Sequence, residues 1–257
     1  MSADELVCEQ HDHVLVLRLN RPEARNALNP SLIRSFGAAV ADAESDPAIR
    51  VLVLTGTGDR AFSSGMDLRS FAAGGNMDMD GAEMQTFMRF MDGGLILPVV
   101  GAAQATAVAG GLEMLLGCDV VVAAHGARFG LPEVQRGLIP GGGGTLLGTR
   151  IPLALAMELV LTGDTIEAGR ALQIGLVNAV VPPDEVLATA LTMAERIAAN
   201  GPLAVRAVKE LTRLAVFDSA AVGARLEHWR NVVFASHDAR EGAMAFVEKR
   251  TPHWQGR

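Results

Sequence analysis

Arg50-Val51-Leu52-Val53-Leu54-Thr55 is the stretch of sequence that decides the fold class. It is a continuous apolar run, and the turn residues Gly56-Thr57-Gly58 follow it directly. A strand without alternating polar residues is suited to a sheet that is buried on both faces, as parallel sheets are. The stretch therefore predicts a central strand of an α/β domain.

Strands and helices are mixed on both sides of this stretch. Upstream, the alternating pattern over 13–20 predicts a strand, and Asn29-Pro30-Ser31 predicts the cap and first turn of a helix to about Asp46. The elements predicted downstream are, in chain order, a helix over 82–95, a strand over 98–106, a helix over 110–117, a strand over 119–124, helices over 153–161 and 165–173, a strand over 176–181, and helices over 184–200, 202–216, 219–234 and 238–249. Helices therefore dominate the last third of the chain.

Composition limits the class of protein. The chain has 257 residues, of which 49% are hydrophobic and 20% are charged, and this is sufficient for a large core. The formal net charge of −7 argues against non-specific binding of nucleic acid. We therefore expect no nucleic-acid partner, and any anionic ligand must meet a local basic patch.

Cysteine use and the N-terminal sequence bear on the compartment. The two cysteines, Cys8 and Cys118, have no CxxC spacing, so we expect neither a disulfide framework nor a zinc site. No histidine pair has the HExxH spacing, and we expect no metal. Residues 1–10 carry acids and no apolar core, unlike a signal peptide, and no uncharged apolar stretch is long enough to span a bilayer. We therefore predict a cytoplasmic protein without membrane insertion.

The segment Ala109-Gly110-Gly111-Leu112-Glu113 combines glycines with an acid at the start of a predicted helix. Free N–H groups at a helix N-terminus carry a partial positive charge, which suits a developing oxyanion. Glu113 itself has two interpretations. An acid in the first turn is favourable on a solvated face. The apolar neighbours Leu112 and Met114 instead indicate a buried setting, where a carboxylate is costly unless it is used or paired.

A second acid, Glu133, follows Pro132 in the segment 129–133 and precedes the glycine run 141–144. Alone, it could be an ordinary exposed acid of a loop. The glycine run lacks the lysine of a P-loop, so we interpret it as backbone packed close to a ligand or a neighbouring helix. The turn 56–58 imitates a dinucleotide fingerprint, but turn-like residues follow it instead of a helix, so we interpret its glycines as turn residues.

These segments occur together with others, and their order makes the pattern specific. The motifs are NRPEARNAL (20–28), AFSSGMDL (61–68), AGGLE (109–113), FGLPE (129–133), GLIPGGGGT (137–145), LTGD (161–164), AGRALQIGLV (168–177), EG (241–242) and AFVEKR (245–250). Taken together, they resemble the enoyl-CoA hydratase/isomerase family, also called the crotonase family, over nearly the whole chain.

The resemblance implies a fold, a substrate class and an assembly. Members have a spiral of ββα units closed by C-terminal helices that mediate trimerisation. Here this implies an acyl-CoA-binding core over 1–200 and a helical oligomerisation region over 201–257. It also implies an acyl-CoA thioester as the partner, with coenzyme A as part of the substrate and no separate cofactor. The expected assembly is a homo-oligomer, either a trimer or a dimer of trimers.

The resemblance also assigns chemical roles. The thioester oxygen would lie between two backbone N–H groups, which fall on Met66 and Gly110. Hydratases of the family have glutamates at both positions that match Glu113 and Glu133, and the two hold one water. Glu113 would take a proton from the water as it attacks C3, and Glu133 would protonate C2, although the two protons are coupled.

Further residues are implied to contact the substrate. The set is Arg25, Ala27, Ser64, Asp67, Leu68, Arg69, Pro132, Gly141, Phe246 and Lys249. Arg25, Lys249 and Arg250 are the cations expected near coenzyme A, and the last two could instead form a solvated helix end. Three features depart from the family pattern: Ala109 replaces a glycine, Arg136 places a cation near Glu133, and 72–81 is a loop expected to line the acyl pocket.

The pair of glutamates favours an enoyl-CoA hydratase, a hydro-lyase that adds water across the 2,3 double bond of a trans-2-enoyl-CoA to give a 3-hydroxyacyl-CoA. Alternatives within the family are a Δ3-Δ2 enoyl-CoA isomerase and a dehydratase of a specialised acyl-CoA of the carnitinyl or steroid side-chain type. A non-enzymatic alternative is an inactive scaffold or RNA-binding relative, and the acidic charge and intact glutamate pair argue against it.

Overall fold

A computed structural model describes residues 4–67 and 81–257. The strands are β1 (Leu6–His11), β2 (Val14–Leu19), β3 (Val51–Gly56), β4 (Val99–Ala103), β5 (Ala107–Val108), β6 (Val120–Ala124), β7 (Arg128–Gly130), β8 (Thr165–Glu167) and β9 (Ala179–Val181). The helices are α1 (Pro30–Ser45), α2 (Ala82–Met91), α3 (Gly110–Gly117), α4 (Leu147–Arg150), α5 (Leu153–Thr162), α6 (Ala168–Gln173), α7 (Val186–Ala198), α8 (Pro202–Phe217), α9 (Val222–Ala235) and α10 (His237–Glu248). The predicted α/β class is confirmed.

The larger sheet has six strands in the order β1-β2-β3-β4-β6-β9. The strands β1 and β2 are antiparallel, and every other neighbouring pair is parallel. All six residues of β3 are buried, and α7 packs against β3 and β4. The apolar run after Arg50 therefore forms a central strand buried on both faces, as predicted.

The smaller sheet contains β5, β7 and β8, and it is where sequence prediction and structure differ most. The sequence predicts one helix over 165–173, but 165–167 pair antiparallel with β7, and α6 begins only at Ala168. Long-range pairing overrides local helix preference there. Similarly, the strand predicted over 98–106 ends at Ala103, and neither β1 nor β7 is predicted from the sequence.

Local signals place the helices that matter for the site. The Asn29 Oδ1 atom accepts a hydrogen bond of 2.7 Å from the N–H of Leu32, so α1 begins at its predicted cap. Helix α3 has the predicted bounds, and all eight of its residues are buried. No helix within the described ranges is long and apolar enough to cross a membrane. The domain boundary at residue 200 stays a prediction.

A partly buried cluster of charges attaches α8 to the end of the larger sheet. The Nζ group of Lys209 donates to the Leu97 carbonyl at 2.7 Å and to Asp119 at 2.8 Å. Arg213 donates to the other oxygen of Asp119 at 2.9 Å. The neighbouring Cys118 is fully buried, and burial raises the pKa of its thiol to about 12. This cysteine therefore packs as a small apolar side chain.

Candidate active site

A cavity of about 560 Å³ lies between α2, the N-terminus of α3 and the segment 132–142. Most of its wall is apolar, and the ionisable side chains among the described residues that line it are two acids and two arginines. The lining residues are Arg25, Leu28, Ile33, Ser64, Met66, Met84, Phe87, Met88, Met91, Val108, Ala109, Gly110, Glu113, Pro132, Glu133, Arg136, Leu138, Ile139, Gly141 and Gly142. A concave, mostly apolar cavity with a few polar groups is typical of a small-molecule site.

Two backbone N–H groups are adjacent at one wall of the cavity. Helix α3 begins at Gly110, so the N–H of this residue has no partner within the helix. A Cβ placed on Gly110 would lie 3.5 Å from the Met66 nitrogen, which shows how closely the two segments approach. Neither N–H donates a hydrogen bond to another of the described residues. The pair is therefore available to an oxygen of a ligand.

Glu113 is buried in the first turn of α3, with 5% of its surface exposed. Its Oε1 atom accepts hydrogen bonds of 2.8 Å from the N–H groups of Gly142 and Gly144. Burial raises the pKa of Glu113, and these two hydrogen bonds oppose the rise. A Cβ on Gly144 would lie 2.3 Å from Pro140, so the backbone reaches Glu113 only because a glycine stands there.

Glu133 lies in a 3-10 helix, Pro132–Arg136, and not in a loop, because Pro132 is suited to the first position of a helix. Its Oε2 atom is buried and has no hydrogen-bond partner within the described part of the chain. The pKa of Glu133 is raised mainly by burial and further by the charge of Glu113, and the Arg136 charge lowers it. The two carboxyl groups are thus electrostatically coupled, and such a pair holds a proton more readily than either group alone.

The cavity brings together many of the residues that the sequence assigns to the site. Its lining contains both glutamates, Met66, Gly110 and four of the implied substrate contacts, which are Arg25, Ser64, Pro132 and Gly141.

Other implied contacts lie elsewhere. Ala27 is buried and does not line the cavity, and Asp67 accepts hydrogen bonds from Arg21. Phe246 and Lys249 lie at the end of α10 and do not line the cavity, and 86% of the Phe246 surface is exposed. Leu68, Arg69 and most of the predicted loop over 72–81 lie outside the described residues.

Sequence analysis does not identify the apolar wall that α2 contributes. Met84, Phe87, Met88 and Met91 all line the cavity. Their spacing of i, i+3, i+4 and i+7 places them on one face of the helix, and this pattern is visible in the sequence. No group of three or more His, Cys, Asp or Glu side chains arranged to hold a metal occurs in the described ranges. The expectation of chemistry without a metal or cofactor stays a prediction.

Comparison with known proteins identifies the family. The family model of enoyl-CoA hydratase/isomerase matches residues 9–257. The enoyl-CoA hydratase EchA19 of Mycobacterium tuberculosis is 37% identical, over 100% of this chain and 98% of its own length. The carnitinyl-CoA dehydratase of Salmonella arizonae is 36% identical, over 99% of both chains.

A solved structure agrees over almost the same length. The crystal structure of an enoyl-CoA hydratase from Mycobacterium tuberculosis H37Rv superimposes with a TM-score of 0.91 and 41% identity, covering 99% of this chain and 100% of that one. The crotonase-type fold and the family resemblance are thereby confirmed. The chain belongs to the enoyl-CoA hydratase/isomerase family.

Proposed function

We propose that this protein is an enoyl-CoA hydratase that adds water across the 2,3 double bond of a trans-2-enoyl-CoA to give a 3-hydroxyacyl-CoA. The observation that carries the proposal is the presence of Glu113 and Glu133 in one cavity, beside the adjacent N–H groups of Met66 and Gly110. Relatives at 36–41% identity that are named hydratases or dehydratases support it.

The two N–H groups bind the thioester oxygen. As water attacks C3, negative charge moves through C2 to this oxygen, and the Met66 and Gly110 donors stabilise it. The positive end of α3 adds to the same effect, because Gly110 is the first residue of the helix. Loss of one such donor typically costs ~10²–10³ in rate.

The two carboxyl groups move the protons. Gly142 and Gly144 both donate to Oε1 of Glu113, which leaves Oε2 to take a proton from the water. In this mechanism Glu133 delivers a proton to C2, and burial and the charge of Glu113 favour its protonated form, because both raise its pKa. The water oxygen thus bonds to C3 with one hydrogen still attached, its other proton moves to Glu113, and C2 receives the proton of Glu133. The pair of acids holds one proton before and after the step, and transfer of that proton from Glu113 back to Glu133 restores the starting state.

The cavity wall defines the acyl group. The face of α2 formed by Met84, Phe87, Met88 and Met91 suits an apolar chain.

A second candidate function is the dehydration of a specialised acyl-CoA, which Arg136 in the lining and the carnitinyl-CoA dehydratase relative favour. A Δ3-Δ2 isomerase would need only one of the two acids.

Coenzyme A and the assembly extend the proposal beyond one chain. Arg25 lines the cavity and would meet the phosphates of coenzyme A, and Phe246 and Lys249 would reach the site of a neighbouring subunit. Exposed apolar side chains on the C-terminal helices support a homo-oligomer, a trimer or a dimer of trimers; they include Val216, Phe217, Phe234, Met244, Phe246 and Val247. Both cysteines are free, which is compatible with the cytoplasm.

Loss of the enoyl-thioester absorbance of crotonyl-CoA tests the function. Wild type should show rapid loss, and Glu113→Gln and Glu133→Gln should each lower kcat by ~10²–10⁴-fold, because a positioned acid or base typically contributes that much. The exposed Glu195→Gln on α7 is the matched control and should leave kcat unchanged. Dialysis against EDTA should have no effect, since N–H groups and carboxyls supply the chemistry. Absence of turnover on any 2-enoyl-CoA would contradict the proposal.

A further inference from the structure

Arg21 joins three segments of the chain next to the cavity, and only 15% of its side chain is exposed. Its Nε atom lies 3.0 Å from Oε1 of Glu5. Its Nη1 atom donates to the Ala27 carbonyl at 2.5 Å, and Nη1 and Nη2 donate to one oxygen of Asp67 at 3.2 and 3.1 Å. A guanidinium is a rigid planar fork, so these contacts fix the relative positions of the groups it binds. The hydration mechanism above assigns Arg21 no role.

The groups that Arg21 binds flank a short backbone pairing. Leu28 and Met66 form a parallel bridge, in which the Leu28 N–H donates to the Gly65 carbonyl at 2.8 Å and the Asp67 N–H donates to the Leu28 carbonyl at 2.9 Å. Successive N–H groups of an extended segment point in opposite directions. The Met66 N–H therefore points away from Leu28, to the side where the backbone of Gly110 lies.

We propose that Arg21 is a positioning residue that holds the Met66 N–H in place for the thioester oxygen. The inference rests on the proposed function, because it assigns Met66 to the oxyanion site. The guanidinium ties the residue before Leu28 to the residue after Met66, so the bridge cannot slide without breaking charged hydrogen bonds. Donors to an oxyanion act through their preorganisation. Loss of the Arg21 contacts therefore weakens the hydrogen bond from the Met66 N–H to the thioester oxygen. Because this hydrogen bond is strongest in the transition state, its loss lowers kcat more than it raises KM.

Two variants and one control test this role. Arg21→Lys keeps the charge and loses the fork, and Asp67→Asn keeps the shape and loses the charged acceptor. Arg18→Lys is the control, because Arg18 lies on β2, three residues before Arg21, and pairs with Glu9 at 3.4 Å, away from the cavity lining. The readouts are kcat and KM with crotonyl-CoA and the absorption of bound 4-(dimethylamino)cinnamoyl-CoA, which moves to longer wavelength as its carbonyl is polarised.

Both test variants should lose about 10- to 100-fold in kcat, the range expected when a reacting geometry is misplaced by up to 1 Å. Their KM should change little, and the shift of the bound chromophore should shrink. Arg18→Lys should match wild type in both readouts. The proposal would be overturned if Arg21→Lys kept the wild-type chromophore shift and the wild-type kcat, even with a lower melting temperature. Loss of a purely structural ion pair would have that effect.

The remaining outcomes are also decisive. If Arg21→Lys does not fold, the same readouts in Asp67→Asn test the positioning role, because this variant leaves Arg21 paired with Glu5. If wild type shifts the chromophore but hydrates no 2-enoyl-CoA, the proposed function fails, while the shift in the variants still tests Arg21. A wild type that gives no shift overturns the positioning role as well, since it polarises no carbonyl.

Discussion

At the residue scale, Ala109 is under backbone strain directly before α3. Its φ of 52° and ψ of −132° lie in a region that glycine adopts readily and alanine does not. A non-glycine residue held there costs of order 1–3 kcal/mol. The strain occurs at the residue that precedes the Gly110 N–H, where the geometry of the site is set.

We therefore expect Ala109→Gly to raise the free energy of unfolding by about 1 kcal/mol. Relief of ~1–3 kcal/mol of strain exceeds the ~0.4–1 kcal/mol that a glycine costs through the unfolded chain. Urea denaturation measures the change. Ala41→Gly, at an exposed position of α1, is the control and should lower stability by ~0.5–1 kcal/mol. Equal destabilisation by both substitutions would contradict the strain.

Arg136 and Glu133 are three residues apart on a 3-10 helix, a spacing that places both side chains on the same face. The arginine charge lowers the pKa of Glu133, so Arg136→Gln should raise this pKa. In the proposed mechanism Glu133 must be protonated, and it loses its proton as the pH rises. The basic limb of the kcat/KM profile should therefore move to higher pH in Arg136→Gln.

The pH profile of crotonyl-CoA hydration measures this shift. Arg170→Gln removes an exposed arginine on α6, outside the cavity lining, and should leave the profile unchanged. A basic limb that stays in place, or moves to lower pH, in Arg136→Gln would show that Arg136 does not control the proton of Glu133.

At the scale of elements, the position of α3 depends on one close backbone contact. A Cβ on Gly111 would lie 2.2 Å from the carbonyl oxygen of Ser63, which is a backbone atom and cannot rotate away. Helix α3 can therefore approach the segment that carries Met66 only because residue 111 is glycine. The same contact sets the distance between the N–H groups of Met66 and Gly110, which form the proposed oxyanion site.

Gly111→Ala should move α3 outward, with two measurable effects. Overpacking should lower the free energy of unfolding by about 1–3 kcal/mol, and kcat should fall because the Gly110 N–H moves with the helix. Gly223→Ala in α9 is the matched control, since its added Cβ meets open space, and it should gain up to ~1 kcal/mol from helix propensity. Thermal unfolding measures the stability of both variants, and crotonyl-CoA turnover measures their kcat. Wild-type stability and kcat in Gly111→Ala would contradict the tight contact.

The elements also show what could be predicted from the sequence. Helix α3 and the cap of α1 match their predictions because glycines, a proline and a capping asparagine act locally. The sequence does not predict strand β8, because only pairing with distant β7 makes those residues extended. In the site, motifs identify the two glutamates. The stripe of Met84, Phe87, Met88 and Met91 looks, in sequence, like any core-facing helix face, and the contacts of Arg21 depend on tertiary structure.

At the scale of the whole molecule, the last residues of the chain return to the core. Glu241 on α10 accepts two hydrogen bonds from Arg250, at 2.6 and 3.0 Å, and one of 2.7 Å from the His253 N–H. The Trp254 indole donates to the Ala199 carbonyl at 2.8 Å, at the end of α7. The segment 250–257 thus connects α10 to a helix that packs on the larger sheet.

The charge of Glu241 makes this connection sensitive to acid. The hydrogen bonds from Arg250 lower the pKa of Glu241 to about 2, from its ordinary value of 4.5. A carboxyl group whose pKa is lower in the folded state than in the unfolded state stabilises the folded state. This contribution is complete above the pKa of the unfolded state and decreases as the pH falls below that value. The contribution of Glu241 is therefore complete above pH 4.5 and is lost as the pH falls towards 2.

Glu241→Gln removes this charge at every pH and should release the segment at neutral pH. In a Trp229→Phe background, Trp254 is the only tryptophan. Its emission should move to longer wavelength in Glu241→Gln at pH 7, because the ring leaves its contact with Gly242 for water. In the parent, the same change should begin only in acid, between pH 4.5 and 2. The exposed Glu195→Gln should keep the parental emission. Parental emission in Glu241→Gln would mean that other contacts hold the segment, such as those from Asp238 to the N–H groups of residues 255 and 256.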